Sequence, residues 1–399
     1  MGERVLILAD DIGVFLAVAR SLGRRGIEVH VALGDPEAPG LQSRYVAAVH
    51  FLPRYRADAS AWVDALGSLI AAHGYRLVVP CSDSHLRQLD HHGDAIGRHR
   101  LALPNPEALA AFTDKGRTRE LAARLGVPMP DGTPVGDATT ADGLATQLDL
   151  PLVLKPCASY ALGDELTKIP ARIVRDRAAL EGALAEGLTG RWLAEAFFEG
   201  DGVGVSVLAR EGRILLAWQH RRRRTITDTG ASSVRTGESP DERLLTDVRA
   251  LAEATALTGV AMFEFRCNPM TGAHVLLEVN PRFWGSLPLA LAAGADFPAM
   301  LWDVLTRGEC APVPVRRPAI TRRSMTGEFD RLADAVEAAP GRAARICAAA
   351  AMILFWPTWL LKSRFDSWAA DDPGPFLVER RGLRRRASRA LAKRVGWKG

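Results

Sequence analysis

Two glutamates, Glu264 and Glu278, have the spacing of carboxylates that face each other across a β-hairpin. Each lies in a short run of apolar, β-favouring residues, and the two runs flank a turn that contains Asn268-Pro269. Side chains alternate between faces along a strand. A hairpin that pairs Cys267 with Val275 therefore also pairs Glu264 with Glu278.

This alternation predicts one apolar and one polar face for the hairpin. The apolar face comprises Phe263, Phe265, Val275, Leu277 and Val279, and the other comprises Met262, Glu264, Glu278 and Asn280. Opposed carboxylates repel each other unless a cation lies between them. Two carboxylates and an amide oxygen are hard donors that suit Mg²⁺, and Mg²⁺ prefers phosphate as a further ligand, which implies a nucleotide. Arg282 follows at once and could hold a transferred phosphoryl group by a bidentate contact. The alternative is a solvent-exposed acidic face.

The segment LLEVNPRFWGS (276–286) resembles the metal-binding strand of ATP-grasp ligases such as carbamoyl phosphate synthetase, biotin carboxylase and D-alanine–D-alanine ligase. The resemblance extends over about 105–310. It implies ATP and Mg²⁺ as cofactors, with Mn²⁺ as an alternative ion. It also implies that a carboxylate is activated as an acyl phosphate, which an amine or thiol attacks. The implied metal ligands are Glu264, Glu278 and Asn280, and the implied catalytic residues are Arg282 and Lys155.

The same resemblance assigns a nucleotide site. Lys115 in FTDKGRT and Lys155 in PLVLKP match the two nucleotide-binding lysines. Lys155 lies in an apolar strand, where a charge needs a partner. The hinge strand that holds adenine is matched by Glu195, Ala196, Phe197 and Phe198.

The sequence departs from the family pattern at two places. The segment 157–173 replaces a glycine-rich flap and holds a single glycine, so we expect Ser159, Tyr160 and Lys168 to cover the phosphates. Asp201 is the nearest substitute for the ribose-binding acid.

Candidate substrate residues are His220, Arg222 and Asp83. His220 and the arginines after it, together with TDTGASS (227–233), could form an anion pocket for a carboxylate. The alternatives are a structural histidine and a solvated strand end.

The first 105 residues read as a Rossmann-like α/β unit, because the apolar run 4–9, a helical pattern and a second strand at Ile27–Leu33 form a βαβ opening. One glycine, Gly13, in the first turn argues against a bound NAD. The expected class is α/β and α+β. Three parts are predicted: a pre-ATP-grasp domain at 1–105, an ATP-grasp domain with two α+β subdomains at 106–310, and a linker with a helical appendage at 311–399.

Composition excludes several classes of protein. Of 51 basic residues, nine lie in the last twenty positions, which leaves 42 basic against 46 acidic residues in the rest of the chain. We therefore do not expect this main part of the chain to bind nucleic acid. Five scattered cysteines and an N-terminus without a signal-like pattern suit the cytoplasm.

The C-terminal part contains an uncharged run of 16 residues (346–361), which is short for a bilayer span of roughly 20. The tail with Leu383, Leu391, Val395 and Trp397 reads as an amphipathic surface helix. Residues 346–399 therefore either pack on the body or contact the inner face of the plasma membrane, and a homodimer stays open.

Among ATP-grasp proteins, the sequence most resembles the stand-alone carboxylate–amine ligases of bacterial type. Two rivals stay open: an ATP-binding regulatory module without catalysis, and a small-molecule kinase that uses the same fold.

Overall fold

The structure is a computed structural model that describes residues 2–9, 12–33, 38–55, 59–136, 138–158, 169–188, 190–226, 232–310, 315, 319–341, 347, 350–351, 361 and 364–395. The described residues form three sheets with helices packed against them. The mixed α/β and α+β class expected from the sequence is confirmed.

The first sheet is parallel, with the strand order β3-β2-β1-β4. Its strands are almost entirely apolar because helices cover both faces. The strands are β1 (Arg4–Leu8), β2 (Glu28–Ala32), β3 (Val46–His50) and β4 (Leu77–Pro80). The helices of this unit are α1 (Ile12–Arg24), α2 (Ser60–His73), α3 (Asp83–His91) and α4 (Gly93–Ile96), with 3₁₀ turns at Pro39–Gln42 and Arg98–Arg100.

A second, small sheet is antiparallel, with the order β5-β8-β6-β7. The strands are β5 (Gly132–Val135), β6 (Leu152–Pro156), β7 (Arg172–Val174) and β8 (Trp192–Ala196). Helices α5 (Pro106–Phe112) and α6 (Lys115–Leu125) precede it, and α7 (Ala141–Gln147) and α8 (Arg177–Ala185) share its apolar core.

The third sheet is antiparallel, with the order β13-β12-β9-β10-β11-β14. The strands are β9 (Asp201–Arg210), β10 (Arg213–Thr225), β11 (Ser232–Glu238), β12 (Gly259–Cys267), β13 (His274–Asn280) and β14 (Thr321–Arg323). The helices that cover it include α9 (Glu242–Ala254), α10 (Leu287–Ala293) and α11 (Phe297–Arg307). One apolar core joins this sheet, α10 and α11 to β1 and α1, so the first unit is fixed against the third sheet.

The C-terminal part packs on this body wherever the structure describes it. Strand β14, inside the segment expected as linker and tail, pairs with β11. Helices α12 (Met325–Ala338) and α13 (Gly374–Val395) share a small core that contains Phe329, Phe365 and Leu383. Most of the apolar run 346–361, as well as Trp397, lies outside the described residues, and so do the side chains of Leu391 and Val395.

No single helix among the described residues has the length and apolar character needed to cross a membrane. The pair α10 and α11 meets that test only when the two helices are joined across a 91° bend.

Candidate functional site

The two predicted carboxylates face each other in the hairpin of β12 and β13. Glu264 pairs with Glu278, and Met262 pairs with Asn280, as the alternation of the sequence predicted. The polar face of the hairpin therefore carries both carboxylates and the amide together.

Beyond the carboxylates the register shifts by one residue. Cys267 pairs with His274 and not with Val275, so the predicted register is wrong at the turn end. A β-bulge leaves Leu277 without a partner on β12, and such a bulge re-aims the side chains that follow it. Leu276 is consequently fully buried in the core, whereas Leu277, which was expected there, lines the polar side.

Basic side chains accompany each carboxylate. The Arg222 Nη2 atom lies 2.5 Å from Glu264 Oε1, and Lys115 Nζ lies 3.4 Å from Glu278 Oε2. The Asn280 amide donates to Glu278 Oε1 at 3.4 Å. The charges of both glutamates are therefore balanced within the protein.

The pKa of Glu278 reflects these neighbours. Burial alone would raise it, but Lys115 and Lys155 outweigh that effect and lower the pKa to about 2. Glu278 is therefore a carboxylate at neutral pH, and the set of two carboxylates and one amide oxygen fits the ligand chemistry of Mg²⁺.

Two glycines of β9 make room for the basic side chains of β10. A Cβ at Gly202 would lie 2.9 Å from Arg222 Cδ, and a Cβ at Gly204 would lie 2.2 Å from His220 Cε1. Glycine at these positions allows Arg222 to cross β9 and reach Glu264 on the next strand.

A buried ionic network lies between the two antiparallel sheets. Lys155 Nζ is 2.5 Å from Glu195 Oε2 and donates to the Leu277 carbonyl at 2.9 Å. Arg119 Nη2 donates to Glu195 Oε1 at 2.6 Å and to the Pro130 carbonyl at 2.7 Å. Burial lowers the pKa of Lys155, and the Glu195 carboxylate opposes that shift. The bulge at Leu277 thus supplies an acceptor for the buried lysine.

Arg282 connects the hairpin to the first unit. Its Nε and Nη2 atoms donate to the two carboxylate oxygens of Asp83, both at 2.6 Å. The same guanidinium donates to Asn280 Oδ1 at 3.0 Å and to the Phe283 carbonyl at 2.7 Å. Asp83 begins α3, shortly after the carboxyl end of β4 at Pro80, and the predicted substrate residue is thus the partner of the predicted catalytic arginine.

These groups line one cleft between the two antiparallel sheets. Its apolar walls include Val153, Ile173 and Leu277. Twelve residues that the sequence singled out contribute to its lining: Asp83, Lys115, Lys155, Glu195, Ala196, Phe197, Phe198, Arg222, Glu264, Glu278, Asn280 and Arg282.

Comparisons with known proteins identify this architecture. Residues 189–327 match the model of a family described as ATP-grasp in the biosynthetic pathway with Ter operon. An L-amino acid ligase from Bacillus licheniformis is similar in structure, with a TM-score of 0.60 and 18% identity over 80% of this chain and 78% of that one. A biotin carboxylase domain of Hydrogenobacter thermophilus 2-oxoglutarate carboxylase, solved with MgADP and bicarbonate, has a TM-score of 0.60 and 18% identity over 78% of this chain and 71% of that one.

A Rhizobium etli pyruvate carboxylase has a TM-score of 0.61 and 17% identity over 77% of this chain. The chain spans only 30% of the length of that carboxylase. A search of curated protein sequences found no match.

The chain has the ATP-grasp fold. The resemblance that the sequence motifs carried is thereby confirmed. The cleft between the two antiparallel sheets is called the ATP-grasp cleft below.

Two predicted residues do not line the ATP-grasp cleft. Asp201 lies 3.1 Å from Arg221 Nη1 at the start of β9, next to Gly202 of the cleft lining, and its role at a ribose stays a prediction. His220 is buried, and its ring stacks on that of Trp218. The His220 Nε2 atom lies 3.3 Å from the Ser286 hydroxyl oxygen. Burial lowers the pKa of His220 to about 3, which makes it a neutral structural residue rather than an anion ligand.

The segment expected to replace the flap lies mostly outside the described residues. This applies to Ser159, Tyr160 and Lys168, and also to residues 227–231 of the expected anion pocket.

Sequence reasoning missed two basic residues, Arg266 in the lining of the ATP-grasp cleft and Arg119 behind Glu195. Arg119 holds Glu195, and its only sequence signal is its place one helical turn after Lys115. Arg266 lines the cleft wall and places its guanidinium 5.9 Å from the centre of the Phe197 ring. Its position on β12, two residues after Glu264 and so on the same face of the strand, is the sequence signal from which it could have been predicted.

Proposed function

We propose that this protein is an ATP- and Mg²⁺-dependent ligase. It activates a carboxylate as an acyl phosphate and transfers the acyl group to an amine, with release of ADP and phosphate. One observation carries the proposal: Glu264 and Glu278 are opposed on one face of the hairpin, beside Asn280, and the buried Lys155 lies in the same cleft.

The hinge strand would hold the nucleotide base. Glu195 is fixed between Lys155 and Arg119, so its carboxylate is pre-oriented to accept from an adenine amino group. Strand β8 ends at Ala196, and the next two residues, Phe197 and Phe198, line the cleft.

Cationic side chains would hold the phosphates and balance charge during transfer. Glu264, Glu278 and Asn280 are the residues that would hold Mg²⁺, which supplies charge neutralisation on phosphate oxygens when bound. Lys115 and Lys155 lie beside these ligands and would act on the same oxygens. Little covalent chemistry falls to the protein in phosphoryl transfer, so positioning and charge are its main contributions.

Arg222 is the best candidate for holding the substrate carboxylate. It balances Glu264 at 2.5 Å, so a metal ion on Glu264 would release the guanidinium for another anion. Arginine suits this role because its planar fork matches a carboxylate.

The test is ADP release by the purified full chain with Mg²⁺ and ATP across a panel of acids and amines. We expect turnover that needs both an acid and an amine, and we expect Glu278→Gln to lose nearly all of it. Glu120→Gln, which changes an exposed glutamate on α6 outside the cleft, is the matched control.

Each alternative has its own outcome in this experiment. ADP release with an acid alone, accompanied by a stable phosphorylated product, would identify a kinase. Tight Mg²⁺-dependent ATP binding with no turnover on any pair would favour a binding module. Failure to bind ATP would refute the proposal.

A further inference from the structure

Three histidines meet in the first α/β unit, away from the ATP-grasp cleft. His30 lies on β2, His50 ends β3 and His73 ends α2. One ring nitrogen from each lies within 4.8 Å of the other two, and the ring centroids are 5.0–5.1 Å apart. His30 is buried, whereas His50 and His73 are half-buried, so an ion could reach the group from solvent.

The group is arranged around one centre. His30 Nδ1 lies 3.0 Å from His50 Nε2, and the Tyr75 hydroxyl lies 2.7 Å from His30 Nδ1 and 3.2 Å from His50 Nε2. In a tetrahedral zinc site with Zn–N near 2.05 Å, neighbouring ligand nitrogens are about 3.3 Å apart. The pair of His30 and His50 is already close to this spacing, and a ring nitrogen of His73 lies within 4.8 Å of both.

A carboxylate fixes the tautomer of the most buried histidine. Glu28 Oε1 lies 2.9 Å from His30 Nε2, and both carboxylate oxygens of Glu28 accept from Arg4, at 2.9 and 3.0 Å. Because an ionised carboxylate only accepts, the proton of neutral His30 lies on Nε2 and the Nδ1 lone pair points to the centre. A carboxylate behind a histidine is the arrangement that orients histidine ligands in metal sites.

We propose that His30, His50 and His73 bind a divalent transition-metal ion of the zinc class, with the Tyr75 hydroxyl or a water as the fourth ligand. Three imidazoles are the donor set of Zn²⁺ and related ions, whereas Mg²⁺ takes oxygen ligands. The ion would connect β2, β3 and α2, and its role would be structural. None of the three histidines contributes to the lining of the ATP-grasp cleft, so this site is separate from the proposed ligase centre.

The experiment uses the full chain after treatment with a chelator, titrated with Zn²⁺ by calorimetry. We expect one ion per chain, retained through desalting, and a rise in the melting temperature on binding. His50→Ala and His73→Ala should each weaken the affinity at least 100-fold. Glu28→Gln should weaken it by about 10- to 100-fold through loss of the carboxylate behind His30.

His99→Gln, which changes an exposed histidine of the same unit, is the matched control and should bind zinc as the parent does. Co²⁺ in place of Zn²⁺ gives a second readout, since a four-coordinate site produces intense visible absorption bands. These bands decide the question on the parent chain even where a histidine variant fails to fold.

Failure of the parent chain to retain an ion, or an unchanged affinity in His50→Ala and His73→Ala, would overturn the proposal. So would a Co²⁺ spectrum typical of six-coordinate surface binding. Nucleotide binding in the cleft is measured in parallel, and it should be the same in His50→Ala as in the parent.

Discussion

The Glu264 carboxylate already contacts the guanidinium of Arg222, so Arg222 and a metal ion would compete for it. The two groups are 2.5 Å apart, and Arg222 reaches Glu264 only because Gly202 carries no side chain. Binding of Mg²⁺ therefore has to displace or share this contact, which lowers the apparent affinity for the ion.

Arg222→Gln removes that competitor. In the variant, Glu264 faces Glu278 without its guanidinium, so the metal-free protein is less stable and gains more from Mg²⁺ with ADP. We expect the rise in melting temperature on adding MgADP to be larger than in the parent, while carboxylate-dependent turnover falls. Arg223→Gln, on the next and more exposed arginine, is the control. An equal rise in both variants would contradict the competition.

Lys155 supports both stability and nucleotide binding. It is buried against Glu195, and removal of one partner of a buried pair costs about 3–5 kcal/mol when the other charge is left alone. Arg119 still accompanies Glu195 in Lys155→Met, so we expect a smaller loss, about 1–3 kcal/mol in urea unfolding. ATP affinity should fall in the same variant. Unchanged ATP affinity in the folded variant would exclude Lys155 from the nucleotide site.

The residues of the site differ in how far the sequence could predict them. The opposition of Glu264 and Glu278 follows from strand alternation on either side of a clear turn. The contact of Arg119 with Glu195 joins residues 76 positions apart on different elements, and no local pattern encodes it. The bulge at Leu277 adds one residue without a sequence signature, which is why the core face of β13 was predicted one residue off at Leu276.

At the scale of elements, strand β9 in the third sheet leaves room for side chains of the neighbouring strand β10. The side chains of β9 on the core face are three valines and Ala209, whereas Gly202 and Gly204 leave room on the other face. The alternating apolar residues of 202–209 and 213–220 are typical of strands, as β9 and β10 are. This pattern did not predict that β10 continues through the arginines to Thr225, because the acids that pair with them lie on other elements.

Gly204→Ala tests this spacing. The added Cβ would lie 2.2 Å from His220 Cε1, and the buried ring, stacked on Trp218, has no room to move. Overpacking of this kind costs about 1–3 kcal/mol, measured by urea unfolding. Gly182→Ala is the control, since nothing lies within 4 Å of a Cβ there and helix α8 should gain about 0.5–1 kcal/mol.

A second substitution separates the clash from other effects of the methyl group. In Gly204→Ala with His220→Ala the added methyl occupies space vacated by the ring, so the two losses should be less than additive. Fully additive losses would mean that a clash with the His220 ring is not what destabilises Gly204→Ala.

At the scale of the whole molecule, the C-terminal segment is held to the first unit by two adjacent aspartates. Asp372 is 2% exposed and accepts from Arg20, from the Ser43 hydroxyl and from the Arg44 backbone. Asp371 pairs with Arg24 at the surface. Contacts between residues about 350 positions apart, such as Arg20 with Asp372, leave no pattern in the sequence, so the appendage could not be placed from it.

The two aspartates should contribute very differently to stability. Asp372→Ala leaves the buried Arg20 without its partner and should cost about 3–5 kcal/mol. Asp371→Ala breaks a pair in which both side chains are 41% exposed and should cost about 1 kcal/mol or less. Urea unfolding of both variants measures the difference, and equal losses would contradict the buried role of Asp372.

The contribution of Asp371 to the free energy of unfolding should depend on pH. The hydrogen bond from Arg24 holds the pKa of Asp371 well below its ordinary value of about 4. A depressed carboxyl pKa adds stability above the unfolded pKa, and this is lost as pH falls through the folded one. The difference between the parent and Asp371→Asn should therefore be constant above about pH 5 and shrink below about pH 4. A difference that grows on acidification would contradict this sign.

Contact of the basic tail with a membrane stays a prediction, and one residue of its expected apolar side is already buried in the protein. Leu383 is 3% exposed in the core shared by α12 and α13, so this residue cannot insert into a bilayer as an amphipathic helix would require. Arg381, Arg384 and Arg385 are exposed on the same helix. Contact with a membrane would then be electrostatic, at about 1 kcal/mol for each arginine near an anionic surface.

Neutralising these three arginines to glutamine should therefore weaken binding to phosphatidylserine-containing vesicles roughly 100-fold, since 1.4 kcal/mol is tenfold. Co-sedimentation of the full chain measures this, and binding should fall steeply with added salt. Arg177→Gln, an exposed arginine of the small sheet's helix, is the control. Equal binding to neutral vesicles, or binding that survives the triple substitution, would show that the arginines of α13 do not form the contact.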